Sequence, residues 1–190
     1  MNILQAGPES IHLENFCKGM LAYFPNFYFL GEEPVSYPGI RKSLITSFRK
    51  ANPFSWISGY FRIHSFLKEN QIELIHVHQA NRLAWIVCLA ARRLKIPVLC
   101  TAWGSDVLLI PQKNLFFRAI TRSILRISSI ITADSKEMIE AMKTINPGGK
   151  YVQLQYGIDP VESGVKEKLI YSNRLHKPLY RIDLIVQEFA

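Results

Sequence analysis

Two apolar runs in this chain end on residues able to do chemistry. Residues 72–81 read Ile-Glu-Leu-Ile-His-Val-His-Gln-Ala-Asn, and residues 96–106 read Ile-Pro-Val-Leu-Cys-Thr-Ala-Trp-Gly-Ser-Asp. An imidazole titrates near neutrality, so His78, just past the first run, could bind a ligand or handle a proton. It could equally be an ordinary loop or cap histidine. His76 lies two residues earlier on the same side of an extended chain, and is expected to be a satisfied core histidine. Gly104 lets backbone approach a ligand closely. Ser105 and Asp106 can exchange hydrogen bonds with ligand hydroxyls, or can cap the start of a helix. Trp103 offers a face on which a ligand ring could stack. His78 and Asp106 are therefore the candidate catalytic residues, with Trp103, Gly104 and Ser105 as candidate substrate contacts.

The elements that must position these residues follow from the pattern around them. Residues 82–94 read as one helix between the two runs. A strand, a helix and a second strand of that size make a right-handed unit with parallel strands, and in such sheets ligands sit beyond the carboxyl ends of the strands. Further strand-like runs occur near 2–6, 27–31, 129–133, 151–155 and 168–172. Helix-like runs lie at 11–23, 54–69, 112–127, 135–145 and 180–190. This alternation predicts an α/β protein, a Rossmann-like parallel sheet with helices on both faces. Residues 33–53 contain Pro34, Pro38, Gly39 and Pro53, and read as a long loop with a helical piece at 41–49. Gly7 and Ser10 follow the first strand. They would form either a wall of the site with an approach to phosphates at a helix N-terminus, or a plain turn with Ser10 as N-cap. No Gly-x-Gly-x-x-Gly is present, so no dinucleotide cofactor is expected.

Bulk properties narrow the class. The 190 residues carry 23 Lys and Arg against 15 Asp and Glu, a formal charge of +8, which favours an anionic partner. The three cysteines, Cys17, Cys88 and Cys100, have no metal or redox spacing and are expected to be buried, reduced thiols of a cytosolic protein. No apolar run approaches the ~20 residues of a membrane helix, and the N-terminus lacks the basic flank of a signal peptide. Arg118, Arg122 and Arg126 form a ridge opposite Leu115, Phe116, Ala119, Ile120, Ile124 and Ile127. Residues 41–68 interleave basic residues with Phe48, Phe54, Trp56, Ile57, Tyr60 and Phe61. Such helices suit an anionic membrane surface, although most of them are a solvated face over a buried one. A nucleic-acid partner ranks last, because no reading helix or stacking motif is recognisable.

The ordered set of motifs resembles the N-terminal, acceptor-side domain of a family 4 glycosyltransferase of the GT-B fold. Gly7-Pro8-Glu9-Ser10-Ile11-His12-Leu13 resembles the family's turn into its first helix, and Ile75-His76-Val77-His78 its strand ending in His-x-His. Thr101 to Leu108 resembles its Trp/His-Gly-Ser-Asp turn; Trp103 stands where some members have a histidine and many have a tryptophan, which cannot exchange protons. Tyr156-Gly157-Ile158-Asp159 resembles the hinge before the donor domain. Tyr171-Ser172-Asn173-Arg174-Leu175 and the run from Pro178 resemble that domain's first strand and helix. The resemblance implies a retaining transferase moving a sugar from a nucleotide-diphospho-sugar, without a metal or other cofactor, to a polysaccharide or lipid-linked acceptor. Arg174 would pair with the donor diphosphate, with Lys177 or Arg181 supplying a second cation.

Three regions are thus expected: an acceptor-side domain at 1–155, a linker at 156–167 and the start of a donor-binding domain at 168–190. Most of that second domain would have to come in cis or in trans, so the isolated chain is expected to lack full activity. The rival expectation is a non-catalytic or decayed fragment that binds an acceptor, an anionic membrane or a partner domain. A cytoplasmic protein, peripheral at the inner face of a membrane, fits either.

Overall fold

A computed structural model describes residues 1–48, 53–155 and 182–189. The chain divides into two compact units, Met1–Tyr156 and Gly157–Ala190. In the second, the described part is one helix, Ile182–Phe189.

The first unit alternates strand and helix. Its order is β1 (Ile3–Ala6), α1 (Ile11–Met20), β2 (Phe27–Gly31), β3 (Ile40–Ile45), α2 (Pro53–Glu69), β4 (Leu74–His78), α3 (Arg82–Leu94), β5 (Val98–Thr101), α4 (Ser105–Leu108), α5 (Ile110–Lys113), α6 (Leu115–Ile127), β6 (Ile130–Ala133), α7 (Lys136–Ile145) and β7 (Tyr151–Gln153). The helix of the second unit is α8. The seven strands form one sheet in the order β3-β2-β1-β4-β5-β6-β7, and every neighbouring pair is parallel. The Rossmann-like α/β expectation therefore holds.

Alternation along the strands splits the core between the two faces of the sheet. Leu4, Ala6, Tyr28, Leu30, Ile75 and Val77 join apolar residues of α2, α3, α6 and α7 in the larger cluster. Phe27 and Phe29 join Leu13, Cys17 and Met20 of α1 in the smaller one. Helix starts are set by short polar side chains that accept backbone N–H groups. Ser10 caps α1, Asn81 caps α3, Asn114 caps α6 and Ser135 caps α7.

Three expectations are corrected. The region read as a loop with a helical piece at 41–49 contains β3, paired to β2 from Phe27 to Gly31. It is an edge strand whose Arg41, Lys42 and Ser43 are exposed, so it carries no burial pattern to read. The helix expected at 112–127 begins at Leu115. Asn114 is extended, and its Oδ1 accepts the Phe117 N–H at 3.0 Å. The apolar stripe of that helix is also rotated: Ile120, Thr121, Ile124 and Leu125 are buried, while Leu115 is 84% exposed and Phe116 53%. The strand expected at 168–172 lies outside the described residues, as does the linker from 156 to 167.

Candidate functional site

The carboxyl ends of β1, β4 and β5 lie side by side. Ala6 pairs with Val77, and Val77 with Cys100. Gln79 donates its N–H to the Thr101 carbonyl at 2.8 Å, and Ala102 donates to that of Thr132 at 2.9 Å. The loops that follow, Gly7–Ser10, Gln79–Asn81 and Ala102–Gly104, therefore share one edge of the sheet.

His78 is the last residue of β4 rather than the first beyond it, and is 1% exposed. That corrects the expectation of a side chain reaching into the cleft. Its ring lies beneath α1, 5.0 Å from Phe16 and 3.9 Å from His76, centre to centre. Nε2 is 2.9 Å from Gln5 Oε1. The Gln5 amide nitrogen is already directed at Met20 Sδ, 3.2 Å away, so its oxygen accepts from a protonated Nε2. Nδ1 is then the bare nitrogen, buried and without a hydrogen-bond partner among the described residues. Burial first, and His76 second, hold the imidazole well below its ordinary pKa. His76 is buried as expected, shares a 2.7 Å hydrogen bond with Thr101 Oγ1, and is pushed down to about 3 by burial.

Gly7 is a close-approach position. A Cβ there would stand 2.9 Å from His78 Cβ and 3.2 Å from the His78 carbonyl oxygen. The Ser10 hydroxyl accepts the Leu13 N–H at 3.1 Å and is the N-cap of α1. The rim beside it holds Glu9, Glu32 and Glu33 around a small hollow of about 110 Å³. Three carboxylates oppose a phosphate at this rim. Trp103 is half-buried, with its ring 5.8 Å from His12 and 6.3 Å from His78. Its indole Nε1 is buried without a hydrogen-bond partner among the described residues.

Asp106 is 2% exposed. Oδ2 accepts the Ala80 N–H at 2.7 Å and Oδ1 accepts the Trp103 N–H at 3.0 Å. The side chain thus clasps the turn after β4 to the turn after β5. Burial pushes its pKa up, and the backbone donors act in the opposite direction. Gly104 makes that turn possible with φ +114° and ψ −82°, a conformation that residues with a Cβ avoid. Ser105 is exposed at the start of α4.

The candidate residues separate into two groups. Ser105 and Asp106 line a pocket of about 370 Å³ with Gln79, Ala80, Asn81 and Arg82. Its far wall comes from Ile110, Lys113, Phe117, Ile120 and Thr121. Gly7, Ser10, His78 and Trp103 are not in that wall; they belong to the α1 side of the sheet edge. Sequence reasoning missed Gln5, which orients His78, and most of the pocket lining. One signal for Gln5 was available: an amide inside an otherwise apolar strand. Arg174, Lys177 and Arg181, the candidate donor-phosphate residues, lie outside the described residues.

Fold and site together define a class: the N-terminal, Rossmann-like domain of GT-B proteins, with a pocket at the carboxyl edge of its sheet. Residues 32–135 match the glycosyl transferase 4-like family, and the chain belongs to it. Similar solved structures include a glycosyltransferase from Rickettsia africae, with TM-score 0.62 and 16% identity over 83% of this chain and 43% of that one. Acinetobacter baumannii MurG gives 0.56 and 15%, over 84% of this chain and 46% of its own. A Neisseria meningitidis UDP-GlcNAc 2-epimerase, solved with UDP-GlcNAc bound, gives 0.56 and 13%, over 76% and 43%. This chain spans less than half the length of each. No curated protein matches it.

Proposed function

We propose that this chain is the acceptor-holding half of a retaining glycosyltransferase. A nucleotide-diphospho-sugar would be the donor, and a polysaccharide or glycolipid hydroxyl the acceptor. The observation that carries this reading is the pocket beside Gly104–Asp106. It lies at the carboxyl edge of the sheet, within the residues that match the family. The donor class is supported by two proteins of similar fold, the epimerase bound to UDP-GlcNAc and Staphylococcus aureus MnaA solved with UDP. Arg174, Lys177 and Arg181 are proposed to hold the donor diphosphate, because charge-assisted bonds strengthen as the leaving group gains charge.

On this reading the residues divide their work. Asp106 and Gly104 hold the two turns in place, and Ser105 presents a hydroxyl to the acceptor. His78, neutral and buried, supports the Trp103 loop from below. The exposed Phe54, Ile57 and Phe61 of α2 recur at helical spacing with Arg62 and Lys68 nearby. They suit a shallow seat on an anionic membrane at the cytoplasmic face.

Transfer of labelled sugar from a panel of nucleotide-sugars tests the proposal. Acceptor binding without turnover by the 190-residue chain, and turnover once a donor-binding half is supplied, are the expected results. Salt-sensitive DNA binding with no response to any acceptor or sugar-nucleotide would overturn it.

A further inference from the structure

We infer that the face formed by α3, α5 and α6 binds an acidic polysaccharide, one whose sugars carry carboxylates, as the chain that serves as acceptor. The inference rests on the acceptor-side reading above and names the charge of the acceptor. Residues 74–133 hold eight Lys and Arg and a single acid, Asp106. The rest of the chain holds 15 Lys and Arg against 14 Asp and Glu. The formal charge of +8 is therefore concentrated in one stretch of sequence. Asp106 does not offset it at the surface, because it is buried and each of its oxygens accepts a backbone N–H. A field of one sign over one face draws in a partner of the opposite sign.

The fold gathers these cations on one side. α3 and α6 are neighbours on the same face of the sheet, and Trp85 Nε1 donates to Ser123 Oγ between them at 3.2 Å. Each follows the carboxyl end of one strand and leads to the amino end of the next, so both run the same way. Lys113 stands at the pocket. Arg118, Arg122 and Arg126 follow on successive turns of α6, about 6 Å apart along the helix, and all three are exposed. Arg118 donates to the Thr144 carbonyl at 3.3 Å, one of five N–H donors that a guanidinium carries. Arg92, Arg93 and Lys95, exposed at the end of α3, extend the basic face to the amino edge of the sheet. The exposed large apolar residues of this face, Leu109, Leu115 and Phe116, stop at the pocket end. Beyond Phe116 the exposed positions of α6 are Arg118, Ala119, Arg122 and Arg126. A helix seated in lipid buries an apolar face, and single-stranded nucleic acid stacks its bases on aromatic side chains. The arginine row offers neither. A hydrated glycan with carboxylates needs only spaced cations, and a guanidinium matches a carboxylate with two parallel bonds.

The test is calorimetric titration of the full chain with an oligogalacturonate, with a maltooligosaccharide of the same length, and with an oligothymidylate of the same charge. The oligogalacturonate is expected to bind best, and more weakly as salt rises. Replacing Arg118, Arg122 and Arg126 together by Gln should weaken it about three- to hundredfold, the range for three exposed charge pairs. Replacing Lys18, Arg41 and Lys42 by Gln removes the same charge from α1 and β3, and should change that affinity less than about twofold. Equal losses from the two triple variants would reveal a response to net charge alone and overturn the inference. Oligothymidylate or the neutral sugar binding as tightly as the oligogalacturonate would also overturn it. So would phosphatidylglycerol vesicles held through the three arginines when the oligogalacturonate is not. Transfer to a neutral polysaccharide, with no affinity for the acidic one, would defeat this inference and leave the transferase reading intact. Oligogalacturonate binding without transfer to any acceptor, once a donor half is present, would do the reverse.

Discussion

At the residue scale, the histidines that promised proton chemistry are held where protons are scarce. His76 and His78 are buried against each other and against Phe16, and burial lowers both pKa values. In the unfolded chain both return toward about 6.5. The unfolded state therefore binds more protons in acid, and folding stability is lost as the pH falls below that value. For His76 the loss continues to about 3. Each histidine contributes a slope of up to about 1.4 kcal/mol per pH unit. Urea denaturation between pH 7 and pH 5 should show this fall, and NMR of the imidazole nitrogens should find both rings neutral at pH 5.5. Titration of either His76 or His78 near pH 6.5 in the native protein would contradict the burial. The cysteines make a parallel case. Burial pushes Cys17 and Cys88 up to about 12 and raises Cys100 as well. All three should resist alkylation by iodoacetamide at pH 8 until the protein is unfolded.

At the element scale, two turns are held by one carboxylate. Asp106→Asn would set an amide N–H₂ against one of the two backbone N–H groups that Asp106 now accepts. It should cost about 1–3 kcal/mol, read by urea denaturation, and should loosen the pocket edge at Ala80. Asn114→Ala removes the cap that starts α6 and should cost about 1 kcal/mol. Most of these elements were legible in the chain. β1, β2, β4, β5 and β6 are short apolar runs between helices of clear periodicity, and both faces of a parallel sheet must be buried. β3 was not legible, because Arg41, Lys42 and Ser43 give an edge strand no apolar alternation. The break before α6 was missed because Asn114 interrupts what reads as one amphipathic run. The site was legible as a place rather than as a list of contacts. The two strand endings do converge, and Ser105 and Asp106 do line a pocket. The burial of His78, however, depends on Gln5 and Phe16, far away in sequence. Thr121 and Lys113 reach the pocket through the packing of α6 and α5, which no local spacing encodes.

At the scale of the whole molecule, the first unit is a folded sheet with a pocket at its carboxyl edge and apolar side chains exposed on α2. Among the described residues no helix is long and apolar enough to cross a membrane. If α2 seats the protein on an anionic surface, the chain should bind vesicles containing about a third phosphatidylglycerol and fall off as salt rises. Replacing Ile57 and Phe61 by serine should weaken sedimentation with those vesicles several-fold without lowering thermal stability, since both side chains are already exposed. Unchanged vesicle binding would remove α2 from the account.

The central claim, that this is the acceptor-holding half of a glycosyltransferase, is tested most directly by one transfer assay. Labelled nucleotide-sugars are offered with lipid-linked and polysaccharide acceptors to the 190-residue chain, first alone and then with a donor-binding half supplied. The account predicts no turnover by the chain alone, and label in the acceptor once the second half is present. That transfer should be lost with Gly104→Ala, which strains the turn at φ +114°. Turnover by the isolated chain, or no transfer from any nucleotide-sugar with both halves present, would contradict it.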